Sequence, residues 1–378
     1  MGDILIIGAG FAGLEAARFF SKKRSQLGSR RIIVIDAKKT FDFLPLLPDV
    51  VGGRIAKDHV LLDLADYLES LRINFEHDEV QRVDTATKEV FLKSGHVLSY
   101  EFLVIACGTF TNFYGMEDIE RRALKIDTSD DALMLQNTVM TYPDKKIVIV
   151  GGGYTGVEIA SHLAILFRRK KIKKYSINIV ERQEDILGPL PEWIKDYCRV
   201  NLCALRINIY PSSSVRELSE KRLKLSNGLE FEDYVIIWVA GVQTPLFVRD
   251  LSFDKDKQGR LIVDAHMRFS DGCFAAGDAA SFSYKGRTLR MAVQFSMAQA
   301  RVAAKNILGL TRGEKKLVRY RPIDLGLLVP LSNKKACGKV LGIRVWGFAG
   351  WFLHYLMCIY RSISFKNRFG VFCDAFLK

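Results

Sequence analysis

The feature that most constrains this chain is a glycine pattern that occurs twice. Gly8, Gly10 and Gly13 follow an apolar run over residues 3–7 and precede a helix-forming stretch, and the next apolar run ends in Asp36. A strand, a glycine-rich turn, a helix and an acid-ending strand are typical of a mononucleotide-binding half. The first glycine permits a tight turn, the second lets a pyrophosphate approach, and the third lets the helix pack on the strand.

The same pattern returns about 143 residues later with Gly151, Gly153 and Gly156. A predicted strand precedes it, and the strand after its helix ends in Glu181. Two copies of one unit predict two similar domains that each hold a dinucleotide. An acid at Glu181 favours an unphosphorylated ribose and therefore NADH over NADPH, although the neighbouring Arg182 is a residue type that accepts a 2′-phosphate.

The composition favours a globular chain with an anionic partner. Hydrophobic residues make up 49% of the sequence and charged residues 26%, which allows a sizeable core. The formal net charge of +14 favours an anionic substrate or an acidic surface. The cysteines form no C-x-x-C pair and the histidines have no ligand spacing, so no metal site is expected. The basic run 168–174 lacks interleaved aromatic residues, which argues against nucleic acid.

Further apolar segments predict more strands of the same kind. The segments 89–92 and 97–100 alternate and predict a short antiparallel meander. Three other segments predict buried strands that close at small residues: 102–106 before Gly108, 234–240 before Gly241 and 273–276 before Gly277.

These motifs together resemble those of the two-dinucleotide-binding flavoprotein superfamily, and most closely those of the type II NADH:quinone oxidoreductases. The resemblance spans essentially the whole chain and implies FAD and NADH as cofactors. The segment 43–48 resembles the family's segment near the flavin ring. The cofactor-binding residues that the resemblance implies are Gly8, Gly10, Phe11, Ala12, Gly13, Asp36, Ala106, Gly108, Thr109, Gly277, Asp278, Gly151, Gly153, Tyr154, Thr155, Gly156, Glu181 and Gly241.

The resemblance also implies three catalytic residues. Glu158 resembles the family's acid near the nicotinamide–flavin junction, where it would position the ring or handle a proton. The alternative is an acid near a helix start that the helix dipole stabilises. Gln294 and Gln299 align with the family's quinone-site pattern A-Q-x-x-x-Q-Q, in which Ala298 replaces one glutamine. The alternative is that both glutamines only decorate a helix.

The resemblance implies an enzyme that passes electrons from NADH through the flavin to a membrane quinone, without pumping protons. The absence of cysteine before Cys107 argues against the disulfide reductases of this superfamily. Two alternatives stay open. A sulfide:quinone oxidoreductase would need a reactive cysteine pair such as Cys107 and Cys337. A redox sensor would bind flavin and NADH without appreciable turnover of quinone.

The C-terminal part predicts a segment that docks on a membrane. Residues 345–360 are almost continuously apolar but too short to span a bilayer. In the amphipathic stretch that follows, Phe365, Phe369, Phe372 and Phe376 recur at helical spacing. Residues 330–378 carry a net charge of +7, which suits an anionic lipid surface. The alternatives are packing on the core or a homodimer interface.

The predicted fold class is α/β, with two Rossmann-like dinucleotide-binding domains and a C-terminal amphipathic membrane-docking segment. Residues 1–112 are assigned to the first part of the FAD domain and residues 113–250 to the NADH domain. Residues 251–325 are assigned to the second part of the FAD domain with the quinone-site helix, and residues 326–378 to the docking segment. We expect a peripheral protein on the cytoplasmic face of the inner (plasma) membrane.

Overall fold

The computed structural model describes residues 2–377. Within these residues it has eleven α-helices: α1 (Phe11–Lys22), α2 (Leu47–Val51), α3 (Leu64–Ser70), α4 (Glu117–Arg122), α5 (Ser129–Thr141), α6 (Tyr154–Arg169), α7 (Glu192–Ala204), α8 (Leu246–Arg249), α9 (Val293–Thr311), α10 (Gly347–Arg361) and α11 (Phe365–Phe376). The strands are β1 (Ile4–Ile7), β2 (Ile32–Asp36), β3 (Thr40–Asp42), β4 (Leu61–Asp63), β5 (Asn74–His77), β6 (Val80–Asp84), β7 (Glu89–Leu92), β8 (Val97–Ser99), β9 (Phe102–Ile105), β10 (Phe110–Thr111), β11 (Lys146–Val150), β12 (Ser176–Val180), β13 (Ile207–Tyr210), β14 (Val215–Leu218), β15 (Arg222–Leu225), β16 (Glu230–Glu232), β17 (Tyr234–Trp238), β18 (Val242–Gln243), β19 (Leu261–Ile262), β20 (Arg268–Ser270), β21 (Cys273–Ala275), β22 (Ala280–Ser281), β23 (Ser283–Tyr284), β24 (Arg287–Thr288), β25 (Gly326–Leu331), β26 (Lys335–Val340) and β27 (Ile343–Trp346).

The chain forms two compact units. Unit 1 comprises the chain up to Phe41 together with Leu62–Phe110 and Val242–Asp324. Unit 2 comprises Asp42–Leu61, Thr111–Gly241 and the chain from Leu325 onward. The segment Asp42–Leu61 therefore belongs to unit 2, although the sequence analysis placed all of residues 1–112 in one domain. The reason is that α2 packs against α5 and α6, which are both helices of unit 2.

A six-stranded sheet with the order β20-β21-β9-β1-β2-β5 lies at the centre of unit 1. Its neighbouring strands are parallel, except that β20 runs antiparallel to β21. Every residue of β1 is buried, as a central parallel strand covered on both faces requires. The predicted meander is present as the antiparallel sheet β6-β7-β8.

Unit 2 contains a four-stranded parallel sheet with the order β13-β12-β11-β17. Its central strand β11 has the same place in the second glycine motif that β1 has in the first. The two parallel sheets confirm the predicted α/β class. The predicted basic run begins in the last turn of α6, which ends at Arg169, and continues into an exposed loop.

The C-terminal part of unit 2 is an antiparallel sheet, β25-β26-β27, followed by α10 and α11. The apolar run 345–360 does not form one helix, because its first residues belong to β27. Gly347 has a φ of +67°, a conformation that glycine adopts without strain, and α10 begins there. No helix among residues 2–377 combines the length and the apolar character needed to cross a bilayer.

Candidate functional site

The first glycine turn joins β1 to α1 in unit 1. At two of its glycines a side chain would clash with the backbone of the protein. Gly8 has a φ of +100°, and a Cβ there would lie 2.4 Å from the Cα of Cys107. A Cβ on Gly13 would lie 1.8 Å from the carbonyl oxygen of Gly8. A Cβ on Gly10 would meet no atom within 4 Å. Gly10 therefore borders open space, as expected where a pyrophosphate approaches the backbone.

The second turn, between β11 and α6 in unit 2, repeats this geometry. Gly151 has a φ of +114°, and its Cβ would lie 2.8 Å from the carbonyl oxygen of Val239. A Cβ on Gly156 would lie 1.9 Å from the carbonyl oxygen of Gly151, whereas one on Gly153 would meet nothing within 4 Å. Each unit therefore offers a backbone cradle that fits one dinucleotide.

Each predicted acid is hydrogen-bonded to the glycine turn of its own unit. Asp36 Oδ2 accepts from the Ala9 N–H at 2.6 Å, and Glu181 Oε2 accepts from the Gly152 N–H at 2.7 Å. The acid at the end of the second strand is thus held beside the turn in both units. That is the place from which a carboxylate reaches the ribose of a dinucleotide.

The helices after the two turns present positive N-termini. Both begin after a glycine, Gly10 or Gly153, and neither has an acid in its first turn. Phe11 and Ala12 begin α1, and Tyr154 and Thr155 begin α6. The first N–H groups of an α-helix have no partner within the helix, and with the helix dipole they favour an anion.

Other residues that the resemblance implies for the two sites lie at further strand ends. In unit 1, the Ala106 N–H donates to the carbonyl oxygen of Ile7 at 2.7 Å, which holds the end of β9 beside the glycine turn. Gly108 has a φ of +67°, and Thr109 beside it is half-buried. In unit 2, Gly241 has a φ of +94°, and a Cβ there would lie 2.1 Å from the hydroxyl of Tyr114.

The turn at Gly277 and Asp278 lies against α9 within unit 1. The Gly277 N–H donates to Gln299 Oε1 at 2.9 Å, and the Gln299 side chain is buried. Ser296 Oγ lies 3.5 Å from a carboxyl oxygen of Asp278, and burial raises the pKa of Asp278 above its ordinary value. Gln299 therefore holds the turn that the resemblance assigns to FAD.

The two glutamines predicted to contact quinone have different surroundings. Gln294 is half-buried and donates to Asp324 Oδ1 at 3.2 Å, whereas Gln299 points into unit 1. The sequence pattern predicts the same role for both glutamines, because helical spacing alone does not show which side chain bonds to a buried backbone group.

Glu158 is half-buried in the second turn of α6. Burial raises the pKa of its carboxyl well above the ordinary value, and the nearby charge of Asp49 acts in the same direction. A helix dipole that stabilised the carboxylate would lower the pKa instead, and the dipole is strongest in the first turn. The dipole alternative therefore does not explain the environment of Glu158.

Sequence reasoning missed three buried polar residues of unit 2. They are Asp49 on α2, His162 on α6 and Tyr355 on α10. The available signal was a polar residue inside each of three apolar segments, but no local pattern shows that these segments meet.

The two cysteines of the sulfide:quinone alternative are Cys107 and Cys337. Burial raises the pKa of Cys107 to about 12. Cys337 is fully buried, and its sulfur lies 3.7 Å from that of Cys198. The reactive thiol is the thiolate, so this burial argues against cysteine chemistry at Cys107.

Helices α10 and α11 each have one buried and one exposed face. On α11, Asp374 accepts from His59 Nδ1 at 2.6 Å and from the Ala56 N–H at 2.8 Å. The predicted stripe of four phenylalanines is incomplete, because Phe376 packs on Trp351 with ring centroids 5.4 Å apart. The exposed faces carry Phe348, Phe352, Leu356, Tyr360, Phe365, Phe369, Phe372 and Leu377.

Comparisons with known proteins agree with this geometry. The chain is 26% identical over 386 residues to the demethylphylloquinone reductase NdbB of Synechocystis sp., which covers 97% of this chain and 94% of that protein. It is 24% identical over 390 residues to the type II NADH:quinone oxidoreductase of Haemophilus influenzae, and this alignment covers 90% of this chain and 87% of that protein. The structure of NDH2 from Plasmodium falciparum in complex with RYL-552 superposes on this chain with a TM-score of 0.85 at 17% sequence identity. The superposition covers 99% of this chain and 97% of that chain, which shows a shared fold.

A family model matches most of the chain. The model described as pyridine nucleotide-disulphide oxidoreductase covers residues 2–306, which include both glycine turns, both acids and the turn at Gly277. This chain is a member of the pyridine nucleotide-disulphide oxidoreductase family.

Proposed function

We propose that this protein is an FAD-dependent oxidoreductase that transfers electrons from NADH to a quinone. The observation that carries the proposal is the duplicated cradle, in which each unit has an open glycine turn, a helix that begins directly after that turn and an adjacent acid. Two relatives that align over most of their own length are named as a quinone reductase and an NADH:quinone oxidoreductase, which supports this choice.

The residues of unit 1 would hold FAD. The turn with Gly10 and the first N–H groups of α1 would bind the pyrophosphate, and Asp36 would accept from the adenosine ribose. Asp278 would reach the ribityl and phosphate region, as the resemblance implies. Gln299 would serve the site by holding the Gly277 turn. Bound FAD supplies the two-electron chemistry that links NADH to a quinone.

The residues of unit 2 would hold NADH. The turn with Gly153 and the start of α6 would bind its pyrophosphate, and Glu181 would accept from the ribose hydroxyls and so favour NADH over NADPH. Glu158 would hold a proton for the quinone, because desolvation raises the pKa of its half-buried carboxyl well above the ordinary value.

The exposed faces of α10 and α11 would dock on a membrane. Phe365 is 82% exposed and Tyr360 is 76% exposed. The opposite faces of the two helices carry the buried residues Trp351, Tyr355 and Asp374, which pack against the rest of unit 2. Large apolar side chains exposed on two packed helices favour an interaction site. Arg344, Lys366 and Arg368 border it and suit anionic headgroups.

We further propose that the protein is peripheral and acts at the cytoplasmic face of the inner (plasma) membrane without pumping protons. A quinone dissolved in the bilayer would then be the electron acceptor. A homodimer through these apolar faces is the alternative to docking on lipid.

The proposed activity is tested by anaerobic stopped-flow absorbance of the flavin-loaded protein. We expect the absorbance of the oxidised flavin to fall when the protein is mixed with NADH and to return when a short-chain quinone is then added. Bleaching by sulfide but not by NADH would overturn the proposal in favour of a sulfide:quinone oxidoreductase. Bleaching by NADH without recovery on quinone would overturn it in favour of another acceptor or a sensor.

A further inference from the structure

A cavity of about 740 Å³ lies within unit 1, outside the residues assigned to the cofactors. Its lining residues fall between Asp256 and Arg321 in the sequence, and none of them is among the residues that the resemblance implies for FAD or NADH. Ligand pockets commonly have volumes of about 300–1,000 Å³, so this cavity is large enough for a small organic molecule. The proposed function makes no use of it.

Part of the lining is aromatic and apolar. Phe282 and Tyr320 both line the cavity and are buried, and their ring centroids lie 5.1 Å apart. The half-buried Tyr284 and the exposed Ile262 add further apolar surface. Aromatic side chains in a pocket suit a ligand that contains a planar ring system.

The hydroxyl group of Tyr320 lacks a partner within the described chain. Tyr320 is 4% exposed, and its hydroxyl is buried without a hydrogen bond to any atom of residues 2–377. A buried polar group in this condition is costly and rare in folded proteins. Burial raises the pKa of Tyr320 to about 12, so the hydroxyl keeps its proton at physiological pH and remains a donor. An oxygen atom of a ligand in this cavity would supply an acceptor.

The charged groups of the cavity favour an anion. Arg319 and Arg321 belong to its lining, and among residues 2–377 no carboxylate forms an ion pair with either. The acid of the lining, Asp256, accepts from Arg260 Nε at 2.7 Å, so its charge is already balanced by a neighbour. The two arginines therefore leave the cavity with an excess of positive charge, which attracts an anionic ligand.

The segment that carries both arginines is fixed to the rest of unit 1 through its backbone. The Tyr320 N–H donates to the Ala265 carbonyl oxygen at 2.6 Å, and the Val318 N–H donates to Oδ1 of the buried Asn306 at 2.7 Å. Asn306 Nδ2 in turn donates to the Val318 carbonyl oxygen at 3.0 Å. Side chains on a backbone that is already ordered lose less conformational entropy when a ligand binds.

We propose that this cavity binds a nucleoside monophosphate. Its phosphate would pair with Arg319 and Arg321, because guanidinium groups bind phosphate oxygens through parallel hydrogen bonds. Its base would lie against the aromatic rings, and its ribose would meet the hydroxyl groups of Ser281 and Thr288, which also line the cavity. Inorganic phosphate or a simple carboxylate would leave the aromatic surface unused, so the lining favours the larger ligand.

The cavity shares one residue with the surroundings of the turn assigned to FAD. Phe282 also lines a smaller cavity together with Gly277 and Asp278. A nucleotide in the larger cavity would therefore contact a side chain that borders the flavin turn. Binding of this nucleotide needs no turnover of NADH or quinone, so the inference goes beyond the proposed function and does not depend on it.

The site is tested by isothermal titration calorimetry of the flavin-loaded protein with AMP, GMP, CMP and UMP, so that four bases are sampled. We expect at least one of them to saturate a single site. When Arg319→Gln and Arg321→Gln are combined, the affinity should fall roughly tenfold or more, because both charge-assisted contacts are lost. Tyr320→Phe keeps the ring and removes the donor, so the affinity should fall roughly threefold or more.

Two controls separate this site from a general charge effect and from the NADH turn. Lys315→Gln combined with Lys316→Gln removes the same amount of charge from exposed positions outside the cavity and should leave the affinity unchanged. Gly153→Ala alters the turn of unit 2, which would also accept a nucleotide phosphate, and should leave this site unchanged. Flavin absorbance and circular dichroism report folding. If the arginine variant does not fold, Tyr320→Phe decides the question.

Several outcomes would overturn the inference. They are no binding of any of the four nucleotides, binding that is lost in Gly153→Ala but kept in the arginine variant, and equal affinity for inorganic phosphate or for adenosine. Equal affinity for phosphate would mean that the aromatic surface contributes nothing, and equal affinity for adenosine would mean the same of the arginines. None of these readouts involves electron transfer, so the failure of this site and the failure of the proposed function are separate results.

Discussion

Glu181 accepts a hydrogen bond from the Gly152 N–H at 2.7 Å, so the acid and the glycine turn of unit 2 are one hydrogen-bonded structure. Its other carboxylate oxygen accepts from the Gln183 N–H at 2.8 Å. The carboxylate is therefore fixed before any nucleotide arrives. A fixed acceptor loses little conformational entropy when a ribose hydroxyl binds to it, which favours selectivity.

Glu181→Gln should narrow the preference for NADH over NADPH. The change removes the negative charge that repels a 2′-phosphate and weakens a charge-assisted hydrogen bond, which is worth about 1.5–3 kcal/mol. We expect the ratio of kcat/KM for NADH to kcat/KM for NADPH to fall roughly tenfold or more. Steady-state kinetics with both nucleotides measures it, and an unchanged ratio would remove Glu181 from the selectivity argument.

Two glycines of the second turn should respond differently to alanine. Gly156→Ala should destabilise the fold, because the added Cβ would lie 1.9 Å from the Gly151 carbonyl oxygen. Gly153→Ala should leave the urea midpoint within error, because its Cβ meets no protein atom within 4 Å, but it should weaken NADH binding at least tenfold. Normal NADH affinity in Gly153→Ala would show that no pyrophosphate lies at this turn.

Gln299→Leu tests whether this residue serves the flavin turn or contacts quinone. The substitution leaves the buried Gly277 N–H without its acceptor, which costs about 1–3 kcal/mol. We expect a lower urea midpoint and faster loss of FAD on dialysis, with the KM for quinone unchanged in the flavin-loaded fraction. A raised KM with normal stability and flavin retention would instead assign Gln299 to the quinone.

The exposed aromatic face of α11 should control binding to lipid vesicles. Phe365 and Phe369 are 82% and 60% exposed, so replacing both by serine should not disturb the core. Burial of each side chain in lipid is worth up to about 1.5–3 kcal/mol, so partitioning onto anionic vesicles should fall at least tenfold. Val200→Ser on α7, also well exposed, is the matched control and should bind as before. Equal vesicle binding by the double variant, with loss of a dimer in analytical ultracentrifugation, would favour the dimer alternative.

Cys107→Ser should retain activity with NADH and quinone within roughly twofold, because burial keeps this thiol protonated and the substitution changes little volume. The measurement is the rate of NADH oxidation by a short-chain quinone, with sulfide as the parallel electron donor. Loss of turnover on this change would point to the cysteine-dependent alternative.

The parallel strands and glycine turns could be predicted from the sequence because their signals are local. Lys146–Val150 and Ser176–Val180 form the strands that the sequence predicts before the second glycine turn and after its helix, since apolar runs there are bordered by polar residues and glycine. The paired acids were also predicted, because Asp36 and Glu181 end such strands.

The remaining features depend on contacts between distant segments. No local pattern shows that Asp49 meets Tyr355, that Gln299 turns toward Gly277 or that Phe376 packs on Trp351 instead of facing outward. In each case the partner lies more than twenty residues away along the chain. Tertiary packing of this kind overrides helical spacing.

The hydrogen bond between His59 and Asp374 joins residues 315 positions apart. Because a chain is synthesised from its N-terminus, the segment Asp42–Leu61 cannot form this contact until translation has passed residue 374. Contacts of such long range close slowly. Helices α10 and α11 therefore emerge after the segment Asp42–Leu61, and this part of unit 2 closes only once both helices have been synthesised.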